Sequence, residues 1–515
     1  MALLARSRYE PRVTSSTRPL TAVEANTRLI VQGDRVVEVP ESIARAFQPG
    51  DSLVYAEAVD ELLLIPAREK QGVARAVGAA VEAFGALRSA RDEQIQRFYS
   101  GFAARLADSA AWGKIAEVNQ ADVADARSRG RSTTRLVASE SMRQGMIDGL
   151  RGWEALGTSR GRVLETVPRA GWAVDLVASG LGVVAFVFEG RPNVLADATG
   201  VLGGGNTVVF RIGRDAARTA RSIMDLALVP ALRDAGLPEH SVCLLESSEH
   251  AAGWALFSDR RLSLAVARGS GRSVALLGSL ARQAGVPVSL HGTGGAWLAV
   301  SEHADAAELE RVVSASLDRK VCNTLNVCCL PRSQAQRLLP AFLRGLERAG
   351  GARKQPFKLH VVDGAAAREL GQSAPLNEAF ARRVPVTRAE GRFDEAQAEW
   401  LAESELGREW EWEETPEVSL SLVDDLSHAV RLFNAYSPQF VGSLLSPERA
   451  EHERFFAEIN APFVGDDHTR WVDGQVALGR PELGLSNWQY GRLLARGGIL
   501  SGDGIYTIRT RARRT

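Results

Sequence analysis

Cysteine is scarce in this sequence: Cys243, Cys322, Cys328 and Cys329 are the only four in 515 residues. So few thiols make no disulfide framework, which excludes a disulfide-stapled secreted fold. Net charge is lacking too, with 62 Lys+Arg against 62 Asp+Glu. That balance removes the electrostatic reason to expect nucleic acid or an anionic membrane as the main partner. No apolar run approaches the ~20 residues of a membrane-spanning helix, and the opening "MALLARSRYEPRVTSSTRPL" has no apolar signal core. The expectation is a soluble, cytoplasmic protein in a reducing compartment, acting on a small molecule. At one domain per ~150 residues the chain holds about three compact units.

Residues 1–28 are polar and weakly patterned and read as a flexible arm. A small β module follows over 29–70, three β-rich runs punctuated by Gly33-Asp34 and Pro49-Gly50-Asp51. Its "VEVPESIARAF…PGDSL" resembles the swapped-hairpin AbrB-type domain, a family that often binds DNA as a dimer. Glu38, Glu41, Glu57, Asp60 and Glu61 are ill suited to face phosphates, which favours oligomerisation or docking over DNA. Beyond residue 72 the pattern is helical, with Ile95, Phe98, Phe102 and Leu106 on one face. Then "GVVAFVF", "NTVVF", "VCLL", "LSLAV" and "AWLAV" alternate with helical stretches. Strands apolar throughout indicate a parallel sheet covered on both faces. A periodic helix over 304–317 and the strands "LHVV", "VSLSLV" and "FVGSLL" suggest a second α/β domain.

Three of the four cysteines fall in "DRKVCNTLNVCCL". Tetrahedral zinc sites present C-x2–4-C pairs, and C-x5-C-C is not one, so no metal is expected. Cys328 and Cys329 lie in an apolar strand pattern, as does Cys243, and read as small core residues. Cys322 differs. It precedes the strand, in a polar loop just after Arg319 and Lys320, and nearby positive charge raises a thiol's thiolate fraction. Read alone, a loop cysteine is as well explained by no function as by a nucleophile.

"FEGRPNVLADATGVLGGGNTVVFRIG", "ARGSGRS", "PVSLHGTGG" and "RKVCNTLNV", in that order, resemble the glutamate-5-semialdehyde dehydrogenase (gamma-glutamyl phosphate reductase) family of the aldehyde dehydrogenase superfamily. The likeness runs over roughly residues 90 to 510. It implies a Rossmann-type cofactor domain over 71–293, with 165–180 as an oligomerisation segment, and a catalytic domain over 294–465. Residues 466–515 would return to the cofactor domain and form an oligomerisation tail. It also implies Cys322 as nucleophile and Asn193 as the oxyanion-stabilising amide, although Asn193 after Pro192 is by itself a turn residue. Gly269, Ser270 and Gly271 would approach a dinucleotide. Arg211 with Arg214 would hold a 2′-phosphate, favouring NADP(H) over NAD(H); read alone, both are surface arginines at a helix start. Glu417 would contact the nicotinamide ribose, and His291, Thr469, Arg470 and Phe440 would line the substrate.

Hydrolytic relatives need a general base ahead of the cysteine, and "SLHGTGGAW" carries no carboxylate. The acyl partner implied is therefore phosphate, CoA or a carrier thiol. The chain departs from the family around "YSPQFVG", where Phe440 and Gly442 replace a histidine and an acidic residue, and at Asn326 and Thr293. Three functions stay open: an acyl phosphate reductase, an acyl-thioester reductase, and an inactive dehydrogenase-like assembly or DNA-binding protein acting through its N-terminal module.

Overall fold

The computed structural model describes residues 18–515 except 132, 134, 135, 189, 373, 389, 390, 413, 473–478, 480, 481, 485–487, 490, 491 and 494–499. Most of the expected arm therefore lies outside the described residues. The apolar runs form two parallel sheets. A five-stranded sheet has the order 288–291, 262–268, 183–188, 207–212, 242–244, and a seven-stranded sheet the order 398–401, 358–362, 417–423, 325–331, 296–300, 441–445, 463–466. Every residue of Val183–Phe188, Thr207–Ile212, Ala296–Val300 and Leu325–Pro331 is buried. This is why those strands show no polar alternation: both faces are covered. No described helix is long and apolar enough to cross a membrane.

The periodic helix is Asp92–Ala107, whose Ile95, Phe98, Phe102 and Leu106 are fully buried against one face of the five-stranded sheet. Each such side chain stabilises the fold by roughly 1.5–3 kcal/mol. The opposite face is covered by helices Ala67–Leu87, His250–Phe257 and Gly271–Gln283, and the hairpin Ser52–Ala56 and Glu61–Ile65 packs on the last two, its Ala56, Leu63 and Ile65 sharing one core with Val183, Ala185 and Leu256. This changes the expected 29–70 module. Its second hairpin shares a core with the five-stranded sheet, whereas the hairpin Arg28–Val31 and Arg35–Glu38 lies outside that core and reaches it through Arg35 and Asp60 at 3.7 Å. There the cross-strand pair Ile30 and Val36 is 78% and 59% exposed.

The two segments expected to pair sheets between subunits pair with each other inside this chain. Strand Thr507–Arg514 lies along Trp172–Ser179, which also pairs with Val163–Arg169. Buried Asp175 fastens this sheet: Arg513 Nε and Arg511 Nη2 each donate to its Oδ2 at 3.0 Å, and Thr166 donates to Oδ1 at 2.8 Å. Arg513 first, then Thr166 and Arg511, pull its pKa down to about 2. A carboxylate whose folded pKa lies below its unfolded value stabilises fully above the unfolded value, here 3.8, and loses that contribution as pH falls towards about 2. Amide exchange in 507–514, measured relative to the unfolded chain at the same pH, is therefore expected to become faster between about pH 4 and pH 2. Asp175→Asn should give the fast exchange already at neutral pH. Equal exchange in both proteins at pH 7 would show that the carboxylate does not hold the strand.

Candidate active site

Cys322 lies in the turn between helix Ala306–Ala315 and strand Leu325–Pro331. The turn is tied internally through Thr324, whose Oγ1 accepts from Val321 N at 2.8 Å and donates to Arg319 O at 2.6 Å. A distant segment clamps it from outside. Thr469 Oγ1 donates to Asn323 O at 2.8 Å, Arg470 Nε donates to Asp318 Oδ1 at 2.7 Å, and Arg470 Nη1 donates to Asn323 Oδ1. Thr469 and Arg470 thus come to the cysteine as expected, but they hold its loop. With its guanidinium only 9% exposed and engaged by Asp318 and Asn323, Arg470 is not open to a substrate anion.

The glycine segment 292–295 packs directly on this turn. Gly295 N donates to Cys322 O at 2.7 Å and Ala296 N to Thr324 O at 3.0 Å. A Cβ on Gly294 would lie 2.7 Å from both Cys322 Cα and O, so no other residue fits without displacing Cys322. On its other side the segment touches the glycine-rich turn. A Cβ on Gly271 would lie 2.3 Å from Thr293 Oγ1, and Gly269 N donates to His291 O at 3.2 Å. Three motifs far apart in the chain, 268–273, 291–295 and 318–324, therefore stack in one place. One wall beside the cysteine is apolar: Phe440, Val441, Phe463 and Ala296 form a cluster against which Cys322 packs, and His291 meets Phe440 edge-on with ring centroids 5.5 Å apart.

The other three thiols are inert by burial, which pushes Cys243 up to about 11, Cys329 up to about 12 and Cys328 well above its ordinary value. Cys322 alone among the four is not fully buried. The two upstream cations act differently from the sequence expectation. Lys320 Nζ is buried against Glu409 Oε1 at 2.6 Å, and Arg319 is exposed with Asp318 at 3.9 Å. Glu409 Oε2 also accepts from Gly294 N at 2.5 Å. A carboxylate does reach the glycine segment, then, but from "GREWEWEE", a run whose Trp and Glu alternation is the one sign that it packs rather than loops.

The C-terminal edge of the five-stranded sheet carries the cofactor candidates. Parallel strands Val183–Phe188, Thr207–Ile212 and Leu262–Arg268 deliver Asn193, Arg211 with Arg214, and the 269–271 turn to that edge. Ser270 precedes helix Gly271–Gln283, and its Oγ donates to Ser273 Oγ at 3.0 Å. A helix N-terminus following a glycine that allows close backbone approach fits a dinucleotide. Asn193 is half-buried ahead of helix Val194–Ala198, with Nδ2 3.3 Å from Asp197 Oδ2. Arg214 is exposed, whereas Arg211 is buried and donates to Ser248 O. Glu417 does not face an open groove: it is 1% exposed, and His360 Nε2 lies 2.7 Å from its Oε1.

Residues 56–344 match the aldehyde dehydrogenase family. A gamma-glutamyl phosphate reductase from Afipia carboxidovorans is 29% identical over 415 residues, covering 79% of this chain and 87% of that protein. The crystal structure of gamma-glutamyl phosphate reductase from Thermotoga maritima superposes with a TM-score of 0.73 at 22% identity, covering 86% of this chain and 99% of that one. An acetylating aldehyde dehydrogenase from Geobacillus thermoglucosidasius has the same fold, with a TM-score of 0.59 at 14% identity over 87% of this chain and 97% of that one.

Proposed function

This chain belongs to the aldehyde dehydrogenase family, and from that premise we propose that it reduces an acyl phosphate to an aldehyde through a thioester on Cys322. The observation that carries the reading is the setting of Cys322, a half-buried thiol in a chain whose other three cysteines are buried, packed between the glycine segment and an apolar wall. The Cys322 thiolate attacks the acyl carbon. The carbonyl π electrons move onto oxygen, and that oxyanion is stabilised by the Asn193 amide and backbone N–H groups of the cysteine turn. Collapse of the tetrahedral adduct breaks the C–O bond to phosphate, which leaves with the electron pair, and the acyl group remains on sulfur. A bound nicotinamide supplies the hydride. Hydride addition to the thioester carbon and cleavage of the C–S bond release the aldehyde and restore the thiolate. Gly269, Ser270 and Gly271 would hold the dinucleotide phosphates and Arg214 its 2′-phosphate, which favours NADP(H) over NAD(H). A homo-oligomer built on the exposed face of the sheet around Trp172 and Ile508 completes the reading, in the reducing cytoplasm.

The relatives' name points to γ-glutamyl phosphate, but the pocket here supports a less polar acyl group. Phe440, Val441 and Phe463 beside the thiol offer about 25 cal/mol per Å² of apolar area buried. Arg470 is engaged by the cysteine loop and offers little to a substrate carboxylate or amine. The same wall keeps an acyl thioester in view as donor. The expected result is NADPH oxidation with aliphatic acyl phosphates. In the reverse direction, with phosphate supplied, kcat/KM should be higher for simple aliphatic aldehydes than for glutamate semialdehyde. A clear preference for glutamate semialdehyde would return the chain to its relatives' substrate, and turnover only with acyl-CoA would replace phosphate by a thiol.

A further inference from the structure

Glu409 takes no part in the chemistry above, yet it touches both segments that enclose the nucleophile. Its backbone is held on each side by Asn326: Nδ2 donates to Arg408 O at 2.9 Å, and Oδ1 accepts from Trp410 N at 2.9 Å. The neighbouring Trp410 ring stacks on His360 with centroids 3.6 Å apart, and its Nε1 donates to Ser419 Oγ at 2.8 Å. From this anchored strap the Glu409 side chain, 13% exposed, meets Lys320 at 7% exposure. One carboxylate oxygen takes Lys320 Nζ and the other takes Gly294 N. Lys320 is two residues before Cys322, and a Cβ on Gly294 would lie 2.9 Å from Cys322 Cβ.

We propose that Glu409 is a positioning residue for the Cys322 nucleophile: paired with Lys320, it locks the glycine segment onto the cysteine turn and balances the cation beside the thiol. This rests on the proposed reading for the role of Cys322. Charged groups on the neighbouring segments have positions of their own. On the turn itself, Asp318 takes Arg470, and Arg319 is exposed. From the clamping segment come Arg470, His468, whose pKa burial lowers, and Asp467, which pairs with Arg311. His291 stands across Phe440. Changing the Lys320–Glu409 pair is therefore the change that alters the net buried charge at the glycine segment. Removing the anion leaves Lys320 to favour thiolate, and removing the cation leaves Glu409 to oppose it.

The test is the pH dependence of iodoacetamide alkylation of Cys322 in the full-length protein, whose other three thiols are buried. Glu409→Gln should move the midpoint down by about one pH unit and Lys320→Met up by a similar amount. The double variant should return toward the wild-type midpoint. Glu409→Gln should also lower kcat/KM by on the order of 10²-fold, as a misplaced reacting group does. Unmoved midpoints in the single variants overturn the proposal. If Glu409→Gln does not fold, Lys320→Met decides alone: an upward shift supports the proposal and no shift overturns it. Shifted midpoints in a protein that turns over no acyl phosphate would keep this role for Glu409 and sink the acyl phosphate reading. Turnover with unmoved midpoints would do the reverse.

Discussion

Replacing Cys322 by alanine is expected to remove turnover, with a loss on the order of 10⁴-fold or more, while the protein stays folded. The sulfur forms and breaks the only covalent bond to the acyl group, so nothing else in the pocket can substitute for it. Its half-buried place in a turn held by Thr324, Thr469 and Arg470 means that loss of one sulfur atom leaves the surrounding hydrogen bonds intact. Cys322→Ser should be nearly as inactive, because a hydroxyl is far harder to ionise than a thiol. Cys328→Ala and Cys329→Ala should behave in the opposite way, keeping their rate and losing about 1 kcal/mol of stability each, since both are buried in the core of the seven-stranded sheet. Steady-state rates with acyl phosphate and chemical denaturation of the four variants separate the two classes. A soluble Cys322→Ala protein with a near-wild-type rate would remove the thioester from the mechanism.

His360→Leu is expected to destabilise the domain built on the seven-stranded sheet by about 1–3 kcal/mol, the cost of leaving a buried polar group without its hydrogen-bond partner. The imidazole lies between two carboxylates, with Nε2 2.7 Å from Glu417 Oε1 and Nδ1 3.1 Å from Glu399 Oε1. Lys358, itself 1% exposed, continues the network to Glu399 at 2.9 Å and to Ala396 O at 2.7 Å. Leucine would leave the Glu417 carboxyl in the interior without its imidazole partner and would also remove the stacking surface of Trp410. Replacing both members, His360→Leu with Glu417→Leu, should cost less than the single change, because the orphaned polar group leaves along with its partner. Urea denaturation midpoints decide this. A single variant as stable as wild type would show that water satisfies Glu417 after all.

Much of the architecture could be read from residue order, for one reason. A strand covered on both faces must be apolar at every position, so "VVAFVF", "TVVFRI" and "AWLAV" announce parallel sheets without reference to any other part of the chain. The same locality picked out Cys322, whose neighbours are polar while those of Cys328 and Cys329 are apolar. Side-chain partnership follows no such rule. Glu409 finds Lys320 across 89 residues, His360 finds Glu417 across 57, and Arg470 finds Asp318 across 152. Nothing in the sequence near Glu417 distinguishes a carboxylate open to a ribose from one enclosed with an imidazole, and nothing near Arg470 distinguishes a substrate arginine from a loop clamp. The hairpin 52–65 was likewise readable as strands, but not as packing on helices formed by residues about two hundred positions later, in one core with the sheet they cover. The sequence by itself determined which segments are strands and which cysteine lies outside the core, because each depends on the local pattern of polar and apolar residues, and its ordered motifs carried the family resemblance. Only the tertiary structure decided which charges meet, since an ion pair is made wherever packing removes two opposite charges from water together, and that depends on how the sheets and the strap over them fit.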